Sequence, residues 1–223
     1  LKNPLRTLAG AAAAVALLGG CTTIETAQLP DALATQLHGQ NVGVVIQEPS
    51  TFGVMQTRDI ALGPLGIPNM NAEGARLRRD GHIGDPAEDI ATMLADSLAG
   101  RDAAVILAAR GQAPRDDVGQ ILAAAPADAR YVLTVATVSW GIMNLPHPRT
   151  DMFVTYTARA RLIDARSRAV VAEGGCLQPP DGTEHHATSY KDFSADDGAL
   201  AKTELAARVD RCIHFIKRDM LGR

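Results

Sequence analysis

The stretch Met152-Phe153-Val154-Thr155-Tyr156-Thr157-Ala158-Arg159-Ala160-Arg161-Leu162-Ile163-Asp164 alternates without a break. Val154, Tyr156, Ala158, Ala160 and Leu162 fall on one side of an extended chain, and Phe153, Thr155, Thr157, Arg159 and Arg161 on the other. Side chains of a strand alternate with period two, so this pattern predicts an antiparallel strand with one buried and one solvated face. Ala165-Arg166-Ser167-Arg168 reads as a tight turn, and residues 169–176 return as the hairpin partner.

Upstream, residues 131–140 are apolar on both faces, which predicts a central strand. Residues 41–47 hold Val42, Val44, Val45 and Ile46 and end at Glu48-Pro49, as a buried first strand does. Residues 103–109 form a further short apolar strand. Helices fall between. A short one is expected over 31–37 after Pro30. Asp85-Pro86-Ala87-Glu88 starts another, with Asp85 as cap, Pro86 at the first helical position and Glu88 completing a capping box. Ile90, Met93, Leu94 and Leu98 line its apolar face and Gly100 ends it. Residues 116–125 form the next, closed before Pro126. The longest, 198–221, carries Leu205, Val209, Cys212, Ile213, Ile216 and Met220 as a stripe at 3.6-residue spacing. The order β-α-β-α-β-β-β-α predicts an α/β (α+β) domain, a single mixed sheet with helices packed on it. Residues 50–84, with Gly63-Pro64-Leu65-Gly66-Ile67-Pro68, read as a long irregular loop with a short helix near 72–79, and residues 179–197 as a polar loop.

Lys2 and Arg6 precede an uncharged run from Thr7 to Leu18, about a dozen residues, too few for a membrane span of roughly 20. Leu18-Gly19-Gly20-Cys21 follows and closely resembles the cleavage box of bacterial lipoproteins. The resemblance implies a signal peptide over 1–20, removal before Cys21, a diacylglyceryl thioether on its sulfur and palmitate-type acylation of its new amine. Two such lipid signals already anchor stably. Thr22 stands where an Asp would favour retention at the inner membrane of Gram-negative cells, so the expected address is the periplasmic face of the outer membrane. Residues 21–29 then form the lipidated Cys and a short tether, and 30–223 a single periplasmic domain. The chain opens with Leu1, so it is read as truncated or as starting at a non-standard codon.

The net charge of −3 and the absence of a basic run argue against nucleic acid, and 4% aromatic residues are few for stacking bases or sugars. Two further cysteines remain, Cys176 and Cys212. An even pair in an oxidising compartment favours a structural disulfide, here stapling the last helix to the sheet, over two free thiols.

Val42-Gly43-Val44-Val45, the helix from Asp85, Ala129-Arg130-Tyr131-Val132-Leu133-Thr134, and Ala160-Arg161-Leu162-Ile163-Asp164 with the turn to Val170-Val171-Ala172 together resemble the α/β domain of CsgG/LpoB-type lipoproteins and the TolB N-terminal domain, over roughly 40–175. These motifs are structural and bring no catalytic residues. The resemblance implies an envelope protein acting through protein contacts. Residues 50–84 do not alternate as membrane hairpins do, which argues against a pore. A tether of under about 30 Å argues against reaching across the cell wall.

Searches for chemistry return little. There is no G-x-S-x-G, and Gly63-Pro64-Leu65-Gly66 lacks the Lys of a phosphate loop. Glu184-His185-His186 with Asp181 and His147 has ligand-type side chains, but neighbouring His residues in a polar loop are read as solvated, so neither metal nor cofactor is expected. Asp116-Asp117 and Asp196-Asp197 precede helices, where carboxylates suit the dipole. Arg159 and Arg161 share a sheet face, read as solvated. Trp140, Ile142, Met143 and Leu145 lie in an expected strand connection, and Leu65 and Ile67 in the 54–70 loop. Large apolar side chains in such places mark contact surfaces. The expected function is a non-enzymatic lipoprotein binding another envelope component or a second copy of itself through 140–149 and 54–70. The alternative is a carrier sheltering lipid or another apolar ligand under the 54–70 loop.

Overall fold

The computed structural model describes residues 24–114, 116–144, 151–178 and 189–222. Its six strands are β1 (Asn41–Gln47), β2 (Phe52–Met55), β3 (Val105–Ala113), β4 (Tyr131–Asn144), β5 (Met152–Asp164) and β6 (Val170–Gln178). They form one mixed sheet in the order β3-β1-β4-β5-β6, with β2 beside β4. β1 runs parallel to β3 and β4, while β4, β5 and β6 form an antiparallel meander. The helices are α1 (Asp31–Gln36), α2 (Thr57–Ala61), α3 (Ile67–Asp80), α4 (Ala87–Asp102), α5 (Val118–Ala124), α6 (Tyr190–Ser194) and α7 (Ala199–Leu221). The α/β class and single mixed sheet expected from the hydrophobic pattern are the architecture found.

β4 explains the unusual sheet. Its first half takes β1 as a parallel neighbour, Val42 opposite Tyr131 and Ile46 opposite Val135. Its second half takes β2, Phe52 opposite Trp140 and Met55 opposite Met143. The chain therefore steps from one neighbour slot to the next along the same strand, and β4 reaches Asn144 rather than ending at Trp140.

One face of the sheet carries the main core, where Ile90, Leu94 and Leu98 of α4 and Leu205, Cys212 and Ile216 of α7 meet Leu133, Tyr156 and Leu162. Three alanines, Ala87, Ala91 and Ala95, share the buried face of α4 and let it lie close. α4 runs past Gly100 and ends at Ala103 in the left-handed conformation, while Met93 is exposed. The other face is covered by α5, whose Ile121 packs with Val45, Val132 and Ile163. Asp117 caps α5 by accepting the Gln120 N–H.

Several expectations are corrected. β5 is not half-solvated, because Phe153, Thr157 and Arg161 are buried too. Arg159 and Arg161 both pair with Asp116, which arrives just before α5, so their face is neutralised and covered rather than solvated. Residues 50–84 are not a loop. They hold β2, α2, a 3-10 turn over Gly63–Gly66 and the fourteen-residue α3. Pro64 and Pro68 stand in the first turns of helical segments, where a missing N–H costs nothing. The described end of the polar stretch 179–197 contains α6, capped by Ser189, and a 3-10 turn over Asp196–Gly198.

The described part of the expected tether is docked. Ala27 and Glu173 exchange both backbone hydrogen bonds at 2.8 Å on the free edge of β6, and the Leu29 N–H donates to the Met220 carbonyl. Leu29 is buried. Gly174 and Gly175 fit between two neighbours: a Cβ on the first would press on Met220 and the Ile216 carbonyl of α7, and one on the second would overlap Ile24.

Candidate functional site

Open sheets bind ligands in the crevice beyond the carboxyl ends of parallel strands, where neighbouring connections leave in opposite directions. Here that point lies at the end of β1, between β3 and β4. The chain leaves β1 through Glu48, Pro49 and Ser50, held by the Glu48 N–H donating to Ala113 and the Ser50 N–H to Thr137. α3 comes back over this point, and its last turn continues into residues 81–84. The result is a two-lobed crevice.

The first lobe, about 770 Å³, is lined by Ser50, Phe52, Arg78, Arg79, His82 and Ile83 among others. Trp140 is packed behind the Ser50, Phe52 and Arg78 part of this lining. The indole Nε1–H donates to the Ser50 carbonyl at 2.7 Å, Phe52 meets the ring edge-on at 5.0 Å, and the Arg78 guanidinium lies 4.9 Å over its face. Arg78 Nε also donates to the Ile83 carbonyl, so the cation is aimed by a ring and a backbone oxygen together. Arg79 and His82 stand exposed at the rim. His82 has φ +49°, a left-handed conformation that side chains with a Cβ seldom adopt. Ser50 Oγ is buried and has no hydrogen-bond partner. Among the described residues no base stands on this hydroxyl.

The second lobe, about 530 Å³, shares Pro49, Arg78 and Gly84 with the first and adds Glu48, Asp85, Glu88 and Arg110. Arg110 lies 3.7 Å from Glu88 and donates to Thr92 Oγ1. Asp85 accepts from the Ala87 N–H at the start of α4 and from the Thr137 hydroxyl of β4. Because the Thr137 proton is committed to that carboxylate, the Tyr156 hydroxyl 3.1 Å away donates to Thr137. Burial pushes the Tyr156 phenol up from its ordinary value, so it keeps its proton. This chain ties the lobe wall to the core. The second lobe thus sets two arginines, Arg78 and Arg110, among three carboxylates, Glu48, Asp85 and Glu88, so the cationic side of the crevice is the first lobe, with Arg78, Arg79 and His82.

The sequence-based contact residues divide. Trp140 and Ile142 are 4% and 1% exposed, in a strand rather than a connection, so they are no contact surface; β2 supplies the partner that extends β4 over them. Met143 is half-buried. Leu145, His147, Asp181, Glu184, His185, His186 and Cys21 lie outside the described residues. Leu65 and Ile67 do stand out, at 80% and 49% exposure, with Ile60 and Leu62 beside them, each about half exposed. At Gly74 α3 rests on β2 so closely that a Cβ would overlap the Phe52 carbonyl oxygen. The crevice itself has no single sequence motif. Its one local trace is Arg78-Arg79 followed by the Gly81-His82-Ile83-Gly84 turn.

No family model matches the chain, and no curated protein matches it. Among solved structures it is similar to a PelC dodecamer from Paraburkholderia phytofirmans, at 16% identity over 91% of this chain and 96% of that one, with a TM-score of 0.30. It is also similar to hypothetical protein CT253 from Chlamydia trachomatis, at 10% identity over 81% of this chain and 99% of that one, TM-score 0.31. A third is a putative neuraminyllactose-binding hemagglutinin homolog from Helicobacter pylori, at 12% identity over 85% and 87%, TM-score 0.28. Likenesses this distant carry no function.

Proposed function

We propose that this chain is a non-enzymatic lipoprotein, anchored through Cys21 to the periplasmic face of the outer membrane, that binds an acidic segment of another envelope component in the crevice at the end of β1. The reading keeps the lipoprotein box and the likeness to CsgG/LpoB-type domains as its sequence support. The observation that carries the binding role is the first lobe: Arg78 fixed over Trp140, Arg79 and His82 at the rim, and a buried Ser50 hydroxyl left without a partner. Such a lobe offers charge and hydrogen-bond donors to an anion and offers no activated nucleophile. The closed Cys176–Cys212 bridge agrees with an oxidising compartment.

The test is crosslinking and co-purification from intact envelopes, with wild type beside the charge reversal Arg79→Glu/Arg110→Glu. Both side chains lie on the crevice rim, so the variant is expected to fold. Loss of the wild-type partner is the expected result. Recovery of the same partner at the same yield would reject the crevice as the binding site. The mass of the mature protein tests the anchor separately, since acylated Cys21 must be its first residue.

A further inference from the structure

We propose that the exposed apolar knob formed by Ile60, Leu62, Leu65 and Ile67 dips into the phospholipid surface beside the lipid on Cys21, giving the domain a second, orienting membrane contact. The inference rests on the anchored-lipoprotein reading above.

Among the described residues eight large apolar side chains are exposed, and four of them fall within these eight positions. They do not fold back, because the backbone beneath them is braced. Asp59, 1% exposed, accepts the Gln56 N–H at 3.0 Å and the Asn69 amide at 2.6 Å. A Cβ at Gly66 would overlap the Asp59 carbonyl, so the 3-10 turn sits directly on α2. Glu73 of α3 pairs with Arg58 and accepts from Gln56. The side chains are thus presented on a rigid turn.

Their place in the fold points to lipid rather than to another protein. β2 lies against the last residues of β4, and the Thr57 N–H donates to Asn144 Oδ1, so the knob stands at the sheet end where β4 finishes. At the far edge the N-terminal chain runs antiparallel to β6. Ala27 pairs with Glu173 and Ile24 packs on Gly175, so the described chain climbs toward the end of β6 as it nears Ile24. β4 and β6 both run against β5, so their ends lie at the same end of the sheet. Leu177, 68% exposed, is also there. Cys21 is three residues, at most about 10 Å, beyond Ile24. Three strand spacings, about 14 Å, separate the β2 slot from β6. Gly175 is level with Arg159, and Met55 with Phe153 six residues further along β5. That is about 20 Å of rise. On this proposal the strands stand tilted toward the β6 edge, so that the anchor and the knob meet one bilayer plane. A bilayer holding the lipid at Cys21 therefore faces the knob. Amphipathic segments at such a surface bury apolar side chains about 5–10 Å deep.

The mature lipidated protein has one convenience: Cys21 is acylated and Cys176 and Cys212 are bonded, so an introduced cysteine is the only free thiol. Leu65→Cys and Arg166→Cys, the latter in the β5–β6 turn at the opposite end, are labelled with an environment-sensitive dye. Each is reconstituted in vesicles of phosphatidylethanolamine and phosphatidylglycerol, with and without spin-labelled lipid. Expected are a blue-shifted emission quenched by the spin label at position 65 and an unshifted, unquenched one at 166. Emission at 65 like that at 166, with the protein still sedimenting with the vesicles, would overturn the knob contact and leave the anchor intact. A blue shift at 65 that spin-labelled lipid does not quench would assign the knob to a second copy or a protein partner instead. Failure to associate with vesicles at all would remove the anchor and this inference with it.

Discussion

Cys176 near the end of β6 and Cys212 in the middle of α7 are joined by a disulfide, with their Cα atoms 5.2 Å apart. The bridge ties the longest helix to the edge strand that also receives the N-terminal chain. Both cysteines are buried. Closing a loop of 36 residues stabilises by about 4 kcal/mol in the chain-entropy model. The double variant Cys176→Ala/Cys212→Ala should therefore unfold at a markedly lower denaturant concentration than oxidised wild type. A free-thiol titration of the unfolded, unreduced mature protein should return none. Two titratable thiols would refute the bridge.

Arg130 and Asp164 meet in a two-pronged pair across the foot of β4 and β5, with Arg130 Nη2 at 2.8 Å from Asp164 Oδ2. The same carboxylate accepts the N–H groups of Arg166 and Ser167. The Arg130 pair first, and then the two backbone donors, lower the Asp164 carboxyl from its ordinary 3.8 to about 2. A depressed carboxyl stabilises the fold above the unfolded value and loses that contribution as pH falls through the folded one. The window is thus pH 4 down to 2, and the contribution on the order of 1–2 kcal/mol. Asp164→Asn should lower stability at pH 7 and flatten the loss between pH 4 and 2. An unchanged acid limb in thermal melts would contradict this assignment.

The hydrophobic periods of α7, β1 and β5 were legible because each element buries its own pattern against one large neighbour. What was hidden depended on partners distant in sequence. Nothing near Arg159 and Arg161 announces Asp116, so their face reads as solvated until α5 covers it. Gly66 reads as a loop glycine and Gly74 as a residue of the expected short helix, yet each marks a close approach, to Asp59 and to Phe52. β2 is only four residues long and exists because β4 has an unfilled neighbour slot beyond β1. For the same reason Trp140 and Ile142 read as a loop tip and are core. The exposure of Leu65 and Ile67 was legible, since they sit between Gly and Pro residues with no helical period to bury them.

Gly74 sets the distance between α3 and β2. A Cβ there meets the Phe52 carbonyl and the Gly53 backbone, which have no side-chain freedom to yield. Overpacking of this kind costs about 1–3 kcal/mol, and Val should exceed Ala. Gly74→Ala and Gly74→Val are expected to fall in that order in thermal melts. A neutral or stabilising Gly74→Ala, as helix propensity alone would give, would show that α3 shifts freely on the strand.

Asp116 is the shared counter-charge of Arg159 and Arg161, which are 19% and 10% exposed, with Glu173 near Arg159 at 3.9 Å. Asp116→Asn leaves two largely buried guanidinium groups with reduced compensation. A loss of about 2 kcal/mol is expected. The companion Asp117→Asn keeps a cap acceptor for the Gln120 N–H and should be nearly silent. Equal effects at the two positions would mean that the charge pair contributes nothing beyond the cap region.

Trp140 is the only tryptophan, so intrinsic fluorescence reports the packing behind the crevice lining. Its ring is enclosed by Phe52 and the Arg78 guanidinium, and its N–H is used by the Ser50 carbonyl. A side chain held this way packs the joint between β2, β4 and α3 and is not free to meet a partner. Emission to the blue of free tryptophan is expected, with little quenching by iodide. Trp140→Ala should cost about 3–5 kcal/mol, as large-to-small changes at buried aromatic sites do. Trp140→Phe keeps the ring but drops the N–H, leaving the Ser50 carbonyl without its donor, and should cost less. If Trp140→Ala left the unfolding midpoint unchanged while abolishing partner recovery, Trp140 would be a contact residue after all. A strongly lowered midpoint, with Trp140→Phe restoring most of it, is the result that a structural role requires.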